Sequence, residues 1–230
     1  MSREMSTEKP RVGISACLLG QAVRYDGGHK RDQFLTHVLG RYVEWVPVCP
    51  ELEVGMGVPR ELVRLVGNAN DPRMIAERSH ADWTEKMQSY AKRRVEALAR
   101  MRLDGFVLKK DSPSCGMERV RVYGMRGVPT RAGRGVFARA LTDRIPLLPT
   151  EEEGRLSDLR LRENFIERIF AYHRWQRLLE ERPSSRRLVE FHARHKLLLL
   201  AHSESHLRRL GRLVAQAGKG PLPPILQQYG

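Results

Sequence analysis

Hydrophobic and polar positions follow different patterns in the two parts of the chain. In the N-terminal part, short apolar runs between turn residues predict strands, and apolar residues at three- and four-residue spacing predict helices. The strands are predicted at 12–17, 42–49, 104–109 and 145–148, and the helices at 34–39, 81–101 and 136–142. The Gly- and Pro-rich stretch over 50–80 is predicted to be a loop. Strands that alternate with helices indicate an α/β domain with a largely parallel sheet flanked by helices.

Beyond residue 154 only the helical pattern remains. Apolar stripes start at Leu159 and again at Leu188. The first ten residues are polar and end at Pro10. We therefore expect a flexible tail over 1–10, an α/β domain over 11–154 and a smaller all-α domain over 155–230.

The composition is that of a globular protein. Of the 230 residues, 41% are hydrophobic and 30% are charged, which argues against disordered, collagenous and membrane classes. No apolar run approaches the ~20 residues that span a bilayer, and the N-terminus has no apolar signal core. We expect a cytoplasmic protein with no membrane partner.

The positive charge is unevenly distributed. The net charge is +14, and residues 155–230 contribute +8 of it. The basic residues are 33 Arg and only 8 Lys. The guanidinium group suits phosphate and carboxylate partners. An excess of arginine spread over several segments of one domain suggests a polyanionic partner, nucleic acid before membrane.

The three cysteines follow the ends of predicted strands. Cys17, Cys49 and Cys115 are separated by 32 and 66 residues, and an odd number at this spacing does not fit a disulfide framework. In open α/β sheets the C-terminal edge of the strands is where ligand sites form. We therefore expect the three thiols to converge on one edge of the sheet.

Several uses of three such thiols remain open from spacing alone. They are compatible with unrelated buried cysteines, with a zinc site that lacks its fourth ligand, or with one nucleophilic thiol and two unexplained ones. An iron–sulfur cluster held by three thiolates would leave one iron open to a substrate.

The residues around the cysteines form three recognisable blocks. They are ISACLLG at 14–20 with VRYDG at 23–27, VCPE at 48–51, and LKKDSPSCG at 108–116. Together they resemble the signature blocks of the thiouracil desulfidase family, over residues 11 to about 153. Residues 168–179 and 188–214 resemble the helical domain fused to such desulfidases in the branch that acts on 4-thiouridine in tRNA. That domain normally continues further, so the resemblance implies either a shortened domain or a fragment.

This resemblance implies a cofactor and a reaction. A 4Fe-4S cluster would be bound by Cys17, Cys49 and Cys115, and its fourth iron would take the sulfur of the substrate. Water would replace the sulfur at the ring carbon and sulfide would leave, so that 4-thiouridine in tRNA becomes uridine. Desulfidation of free thiouracil or thionucleosides, and a non-catalytic iron–sulfur sensor that binds nucleic acid, are the alternatives.

The resemblance also implies two catalytic residues. Glu51 matches the acidic residue of the family and would transfer protons or activate water, although a carboxylate in the first turn after Pro50 also suits a helix N-terminus. Ser112 would orient the base or the water, or is simply a turn residue before Pro113. Ser114 competes with Ser112 for this role.

Further residues are weaker candidates for contacts with the substrate. Arg24, Tyr25 and Asp26 lie in the loop after the first cysteine, where a turn at residues 27–28 explains them almost as well. Lys109 would neutralise the cluster or a phosphate, or end a strand in solvent. Residues 133–135, Gly-Arg-Gly before a helix, are a candidate phosphate site at a helix N-terminus.

The helical part offers candidate groups for contact with tRNA. Arginines would hold the backbone, while Tyr172 and Trp175 are possible stacking groups, unless the arginines form a solvated face and Trp175 belongs to a core. The arginines are Arg174, Arg177, Arg186, Arg187, Arg194, Arg208, Arg209 and Arg212. Five histidines also lie here, and without a cysteine or carboxylate that completes a site they are interpreted as hydrogen-bonded or solvent-facing rather than metal-binding.

Overall fold

The computed structural model describes residues 8–124 and 128–230 and divides into two compact units, Met1–Phe170 and Ala171–Gly230. The first unit contains a parallel sheet. Its strands β1 (Arg11–Ser15), β2 (Glu44–Val48), β5 (Gly105–Leu108) and β8 (Thr150–Glu152) lie in the order β2-β1-β5-β8, and every neighbouring pair is parallel. All four residues of β5 are buried, as expected for an inner strand covered on both faces. The predicted parallel α/β sheet is confirmed.

A second sheet lies in the same unit. It consists of β3 (Val63–Asn68), β4 (Asp71–Ala76), β6 (Val120–Tyr123) and β7 (Pro129–Gly133), in the order β4-β3-β6-β7. Only the β3–β6 pair is parallel. The prediction of a loop over 50–80 is therefore wrong, because the Gly, Pro, Asn and Asp residues that indicated a loop lie in and around a hairpin.

Helices flank the sheets. They are α1 (Pro50–Glu53), α2 (Thr84–Met101) and α3 (Val136–Arg144), with 3-10 turns at Ala16–Leu19, Leu39–Arg41 and Arg155–Ser157 and a π-helical segment at Phe34–Val38. The helix predicted over 34–39 is thus a π turn followed by a 3-10 turn. Close packing between neighbouring strands of the parallel sheet requires a glycine in β1, because a Cβ on Gly13 would lie 2.2 Å from the ring of Phe106, its partner on β5.

The strand predicted over 145–148 is wrong. The chain bends there after α3 ends, and Pro146 has no backbone N–H for a strand ladder. The polar β8 takes the edge position instead, where Thr150 pairs with Phe106. The hydrophobic pattern does not indicate this strand, because two of its residues, Glu151 and Glu152, are acidic. Both are nevertheless buried, and specific hydrogen bonds hold their carboxylates.

The second unit is helical. The chain continues through α4 (Leu159–Glu180), whose last residues belong to it, then α5 (Ser185–His202), α6 (Glu204–Gln216) and α7 (Leu222–Tyr229). Ser184 and Ser203 cap α5 and α6, each accepting a backbone N–H at 3.3 Å. Trp175 belongs to the core of this unit and stacks on Tyr229 with ring centroids 5.2 Å apart. It is therefore a packing residue, not a base-stacking one.

The helices of the second unit do not resemble membrane spans. In the described part of the chain, no helix combines the length and the apolar character needed to cross a bilayer.

Candidate active site

Cys17 lies two residues after the end of β1. It is in the 3-10 turn Ala16–Leu19, which ends at Gly20 with a positive φ of 93°. The Cys17 carbonyl accepts backbone N–H groups from Gly20 at 3.3 Å and Lys30 at 2.9 Å. The cysteine thus anchors both ends of the loop over residues 20–30.

Cys49 follows β2 and caps the short helix α1. Its backbone N–H donates to Glu53 Oε1 at 3.0 Å, and Glu53 Oε2 accepts the Tyr90 hydroxyl at 2.8 Å. The Cys49 thiol points toward the carbonyl of Val23, 3.8 Å away. The second cysteine is therefore fixed by its own helix and faces the loop that follows the first.

Cys115 ends a tight turn after β5. Ser112 Oγ accepts the backbone N–H groups of Ser114 at 3.2 Å and Cys115 at 3.1 Å. Ser15, which lines the same cavity as Cys115, accepts the N–H of Lys109 at its Oγ at 3.0 Å. The ends of β1, β2 and β5 therefore each supply one thiol at the same edge of the parallel sheet, as predicted.

The N-terminus of α3 holds the turn of Cys115 in place. The Ser114 carbonyl accepts N–H groups from Phe137 at 3.0 Å and Ala138 at 3.1 Å, and the Pro113 carbonyl accepts the N–H of Val136 at 3.1 Å. The prediction of a phosphate at residues 133–135 is wrong, because protein carbonyls already occupy the amide groups that would bind it.

The three cysteines are free thiols that line one cavity of about 520 Å³. Burial raises the pKa of Cys17 to about 11 despite the opposing charge of Lys109. Burial likewise raises the pKa of Cys49, and it raises that of Cys115 well above its usual range. The thiols are thus neutral at pH 7 unless a cation favours their thiolates.

Glu51 is held from two sides at the wall of this cavity. Its Oε1 accepts the Ser114 hydroxyl at 2.8 Å and the Ser112 hydroxyl at 3.4 Å. Its Oε2 accepts two N–H groups of Arg60, one of them from Nε at 3.2 Å. The Arg60 side chain is only 6% exposed, and its Nη1 also donates to the Val23 and Gly57 carbonyls at 3.0 Å each.

The two serines occupy different positions. Ser112 lines the cavity, whereas Ser114 is fully buried and lies outside its lining. The Ser114 hydroxyl supports Glu51 from the protein interior, and a contact of Ser114 with the substrate stays a prediction.

The remaining candidates divide into cavity-lining and turn-forming residues. Arg24, Tyr25 and Lys109 line the cavity, and Lys109 Nζ pairs with Glu153 at 2.5 Å. Asp26 lies outside the lining and accepts the Gly28 N–H at 3.0 Å. The turn thus accounts for Asp26 in this structure, and its contact with the substrate stays a prediction.

Arg60, Ser15 and Glu153 are functional-site residues that the sequence patterns did not indicate. Arg60 and Ser15 line the cavity, and Glu153 pairs with Lys109. Arg60 lies in the segment over 50–80 that the pattern predicts to be a loop, and one arginine among 33 carries no distinguishing signal. Ser15 stands two residues before Cys17 in the first motif, and this position is the one signal in the sequence that could have indicated it.

The arginines of the second unit differ in their partners. Arg177 and Arg208 pair with Glu181 at 2.8 Å and Glu204 at 2.6 Å. Arg187 also pairs with Glu181, Arg186 pairs with Glu190 at 3.0 Å, and Arg174 Nη1 contacts His195 Nε2 at 3.2 Å. Among the arginines predicted to contact tRNA, Arg194, Arg209 and Arg212 are exposed and form no hydrogen bond or ion pair with another side chain of the described residues.

His192, His195 and His206 have hydrogen-bond partners within the second unit. His195 is buried, with Nδ1 2.7 Å from the Phe191 carbonyl. His192 Nδ1 lies 3.0 Å from the Tyr229 hydroxyl, and His206 Nδ1 lies 3.1 Å from Ser203 Oγ. Burial lowers the pKa of both His192 and His195, so these two rings are neutral at pH 7.

The donor set of the cavity bears on which metal group would fit. Over residues 8–124 and 128–230, no three His, Cys, Asp or Glu side chains converge on the position of a single metal ion. The three thiols instead surround a shared space. Such a set fits a cluster whose iron atoms are ligated separately better than it fits one mononuclear ion.

The fold and the site define an α/β protein with a cavity lined by three thiols and the Glu51 carboxylate. The profile of a family described as 2-thiouracil desulfurase matches residues 12–153. This match covers more than half of the chain, which therefore belongs to the 2-thiouracil desulfurase family. A second profile, of a protein family of unknown function called DUF1722, matches residues 196–230.

One solved structure and two curated proteins are similar to this chain. The structure is a 4Fe-4S-dependent thiouracil desulfidase, TudS, with a TM-score of 0.53 and 31% identity; the match covers 68% of this chain and 99% of that one. Uncharacterized protein YbbK of Bacillus subtilis is 30% identical over 108 residues, 45% of this chain and 71% of its own length. Uncharacterized protein YbgA of Escherichia coli is 46% identical over 48 residues, 21% of this chain and only 28% of its own length.

Proposed function

We propose that this protein is a 4Fe-4S-dependent desulfidase that converts 4-thiouridine in tRNA to uridine and releases sulfide. The observation that carries the proposal is the convergence of Cys17, Cys49 and Cys115 on one cavity beside Glu51. Membership of the 2-thiouracil desulfurase family and similarity to a 4Fe-4S-dependent thiouracil desulfidase support the chemistry.

The three cysteines would hold the cluster. Their buried thiols are neutral on their own, and binding of iron would deprotonate them, because the thiolate is the ligand. When bound, a cluster with three protein ligands supplies an open iron for the sulfur of the substrate.

Glu51 and its neighbours would manage protons and orientation. Arg60 and Ser114 fix both oxygens of the Glu51 carboxylate, so the group keeps one orientation at the cavity wall while it accepts a proton from water or returns one to the pyrimidine ring. Ser112 lines the cavity and has a hydroxyl that reaches Glu51. It would orient the water or the base, as well as shape the turn of Cys115.

The choice of tRNA as substrate rests on the second unit. The charge of +8 over residues 155–230 and the unpaired Arg194, Arg209 and Arg212 favour a polyanion. A tRNA substrate also implies a cytoplasmic location. The second candidate is desulfidation of a free thiopyrimidine, favoured by the family description and by the name of the similar solved structure.

The test is to prepare the full chain anaerobically, record the absorbance and electron paramagnetic resonance of the cluster, and measure sulfide release. The substrates are tRNA containing 4-thiouridine, 4-thiouridine nucleoside and free thiouracil. We expect a 4Fe-4S signal and the highest kcat/KM on tRNA. Cys115→Ser provides the cluster-deficient control. Higher kcat/KM on free thiouracil would replace the first candidate with the second, and cluster without sulfide release would indicate a sensor.

A further inference from the structure

The short helix α1 carries two glutamates that lie on different sides of it. Glu51 lines the cavity, where its carboxylate accepts the hydroxyl groups of two serines. Glu53 does not belong to the cavity lining and instead lines a separate depression between α1 and α2. Residues two apart on a helix do not share a face. The chemistry of the cavity therefore leaves the Glu53 carboxylate without an explanation.

Glu53 binds both polar groups of the Cys49 backbone. Its Oε1 accepts the Cys49 N–H at 3.0 Å, and its own backbone N–H donates to the Cys49 carbonyl at 2.9 Å. Cys49 is the N-cap residue of α1 and has an extended backbone. The arrangement is similar to a capping box, in which a glutamate side chain reaches back to the free N–H of the cap residue. One residue on the first turn of α1 thus sets the backbone orientation of the second cysteine.

Helix α2 fixes the other oxygen of the same carboxylate. Glu53 Oε2 accepts the Tyr90 hydroxyl at 2.8 Å and lies 3.1 Å from Nε of Arg94. Tyr90 and Arg94 are one helical turn apart on α2, and Tyr90 is buried. No residue of α2 belongs to the cavity lining. The turn of Cys49 is therefore held from outside the cavity by a helix that has no contact with its interior.

The other two cysteines are held in other ways. The Cys17 carbonyl accepts backbone N–H groups of its own loop, and the Cys115 N–H donates to Ser112 Oγ at 3.1 Å. The Glu53 carboxylate forms its hydrogen bond with the backbone of Cys49. Removal of this carboxylate is therefore expected to release one cysteine of the three.

We propose that Glu53 is a positioning residue of the cluster site, which Tyr90 and Arg94 hold in place so that it keeps the Cys49 thiol at the cavity. The inference rests on the proposed function for the assignment of Cys49 as a cluster ligand. Outer contacts of this kind orient metal ligands, and a ligand that is already ordered loses less conformational freedom when it binds. The two glutamates of α1 thus have different roles, because Glu51 faces the substrate space and Glu53 holds a ligand.

The first arm of the test measures the three thiols of the full chain before a cluster is assembled. The probe is iodoacetamide, and peptide mass spectrometry gives the alkylation rate of each cysteine. In Glu53→Leu we expect Cys49 to react about tenfold faster than in wild type, because loss of a charge-assisted hydrogen bond makes local opening of its turn more frequent. The rates of Cys17 and Cys115 stay at their wild-type values.

Two further variants separate the hydrogen bond from charge and from general loss of stability. Glu53→Gln keeps an acceptor for the Cys49 N–H without the negative charge, and its Cys49 rate is expected to stay near that of wild type. Glu85→Leu is the matched control, because Glu85 is an exposed carboxylate in the lining of the same depression. It should leave all three rates unchanged.

The second arm records the electron paramagnetic resonance of the reduced cluster after anaerobic assembly. We expect shifted g values in Glu53→Leu and wild-type g values in Glu53→Gln and Glu85→Leu. An unchanged Cys49 rate in Glu53→Leu, equal acceleration of all three cysteines, or a Glu53→Gln protein as reactive as Glu53→Leu overturns the proposal. Wild-type g values in Glu53→Leu at full iron content overturn it as well. Absence of a cluster or of sulfide release in the wild type counts against the desulfidase proposal, whereas the first arm decides the role of Glu53 without either.

Discussion

At the scale of single residues, the site depends on how Glu51 is held. One oxygen of its carboxylate faces the serines and the other faces Arg60, whose side chain is almost entirely buried. A carboxylate that is fixed in this way does not need to be reoriented for each proton transfer. We therefore propose that Arg60 is a positioning residue that acts through Glu51.

Replacement of Arg60 tests this arrangement. We expect Arg60→Gln to lower kcat by about ten- to a hundredfold, because Glu51 loses its paired orientation. Arg60→Lys keeps the charge without the planar fork and is expected to recover part of kcat. Steady-state kinetics of sulfide release, with iron content per chain as the control, measure both. Wild-type kcat in Arg60→Gln at full iron content would contradict the role.

Alanine variants of the two serines are expected to lose different properties. Ser114→Ala removes the 2.8 Å contact with Glu51 and should lower kcat while iron content stays normal. Ser112→Ala removes the acceptor of two backbone N–H groups in the turn of Cys115, which should cost about 1–3 kcal/mol of stability and lower iron content. Iron analysis, thermal unfolding and sulfide release separate the two outcomes. Identical behaviour of both variants would refute the division of roles.

At the scale of elements, α3 serves as the support of the third cysteine. Its N-terminal amides bind the carbonyls of Pro113 and Ser114, and Gly135 at its start allows the two segments to approach. A Cβ on Gly135 would lie 2.4 Å from the Ser114 oxygen. The thiol of Cys115 is thus held through backbone contacts with an element 20 residues further along the chain.

Gly135→Ala should therefore disturb the turn of Cys115. We expect a loss of about 1–3 kcal/mol in the free energy of unfolding, as is typical for overpacking in a closely packed place, together with reduced iron content. Gly218→Ala, whose added Cβ meets nothing within 4 Å, is the matched control. Chemical denaturation and iron analysis report the two effects, and a Gly135→Ala protein as stable and as iron-rich as the control would disprove the dependence on α3.

The pattern of the sequence predicts the parallel sheet better than it predicts the second sheet. β1, β2 and β5 are short apolar runs, so their period and their turns identify them. β4 begins with Asp-Pro and β7 contains Gly, Pro and Arg, residues that local propensity assigns to turns. Tertiary pairing overrides that propensity. The site divides in a similar way. The cysteines, Glu51 and Ser112 lie in local motifs that the sequence shows, whereas Arg60 reaches Glu51 only through the fold.

At the scale of the whole molecule, the two units combine different kinds of positive charge. In the first unit, Arg60 is buried against Glu51, and Arg64 and Arg121 line the cavity. In the second unit the arginines are on helices, and several of them have glutamate partners one turn away. Local pairing neutralises such charges, so net charge alone overstates the surface available to RNA.

The difference between arginines with and without a glutamate partner predicts which of them contribute to tRNA binding. A full-chain variant with Arg194, Arg209 and Arg212 replaced by Gln should bind tRNA more weakly, and the slope of log K against log salt concentration should flatten by roughly one per lost phosphate contact, about three in total. The matched control replaces three arginines that have a glutamate four residues away: Arg177, Arg186 and Arg208. Its slope should change less, because these charges are partly neutralised before RNA binds. Filter binding or fluorescence anisotropy over a salt series gives both slopes. If the two triple variants flatten the slope equally, pairing does not select the contacts; if neither does, the second unit does not bind the tRNA backbone.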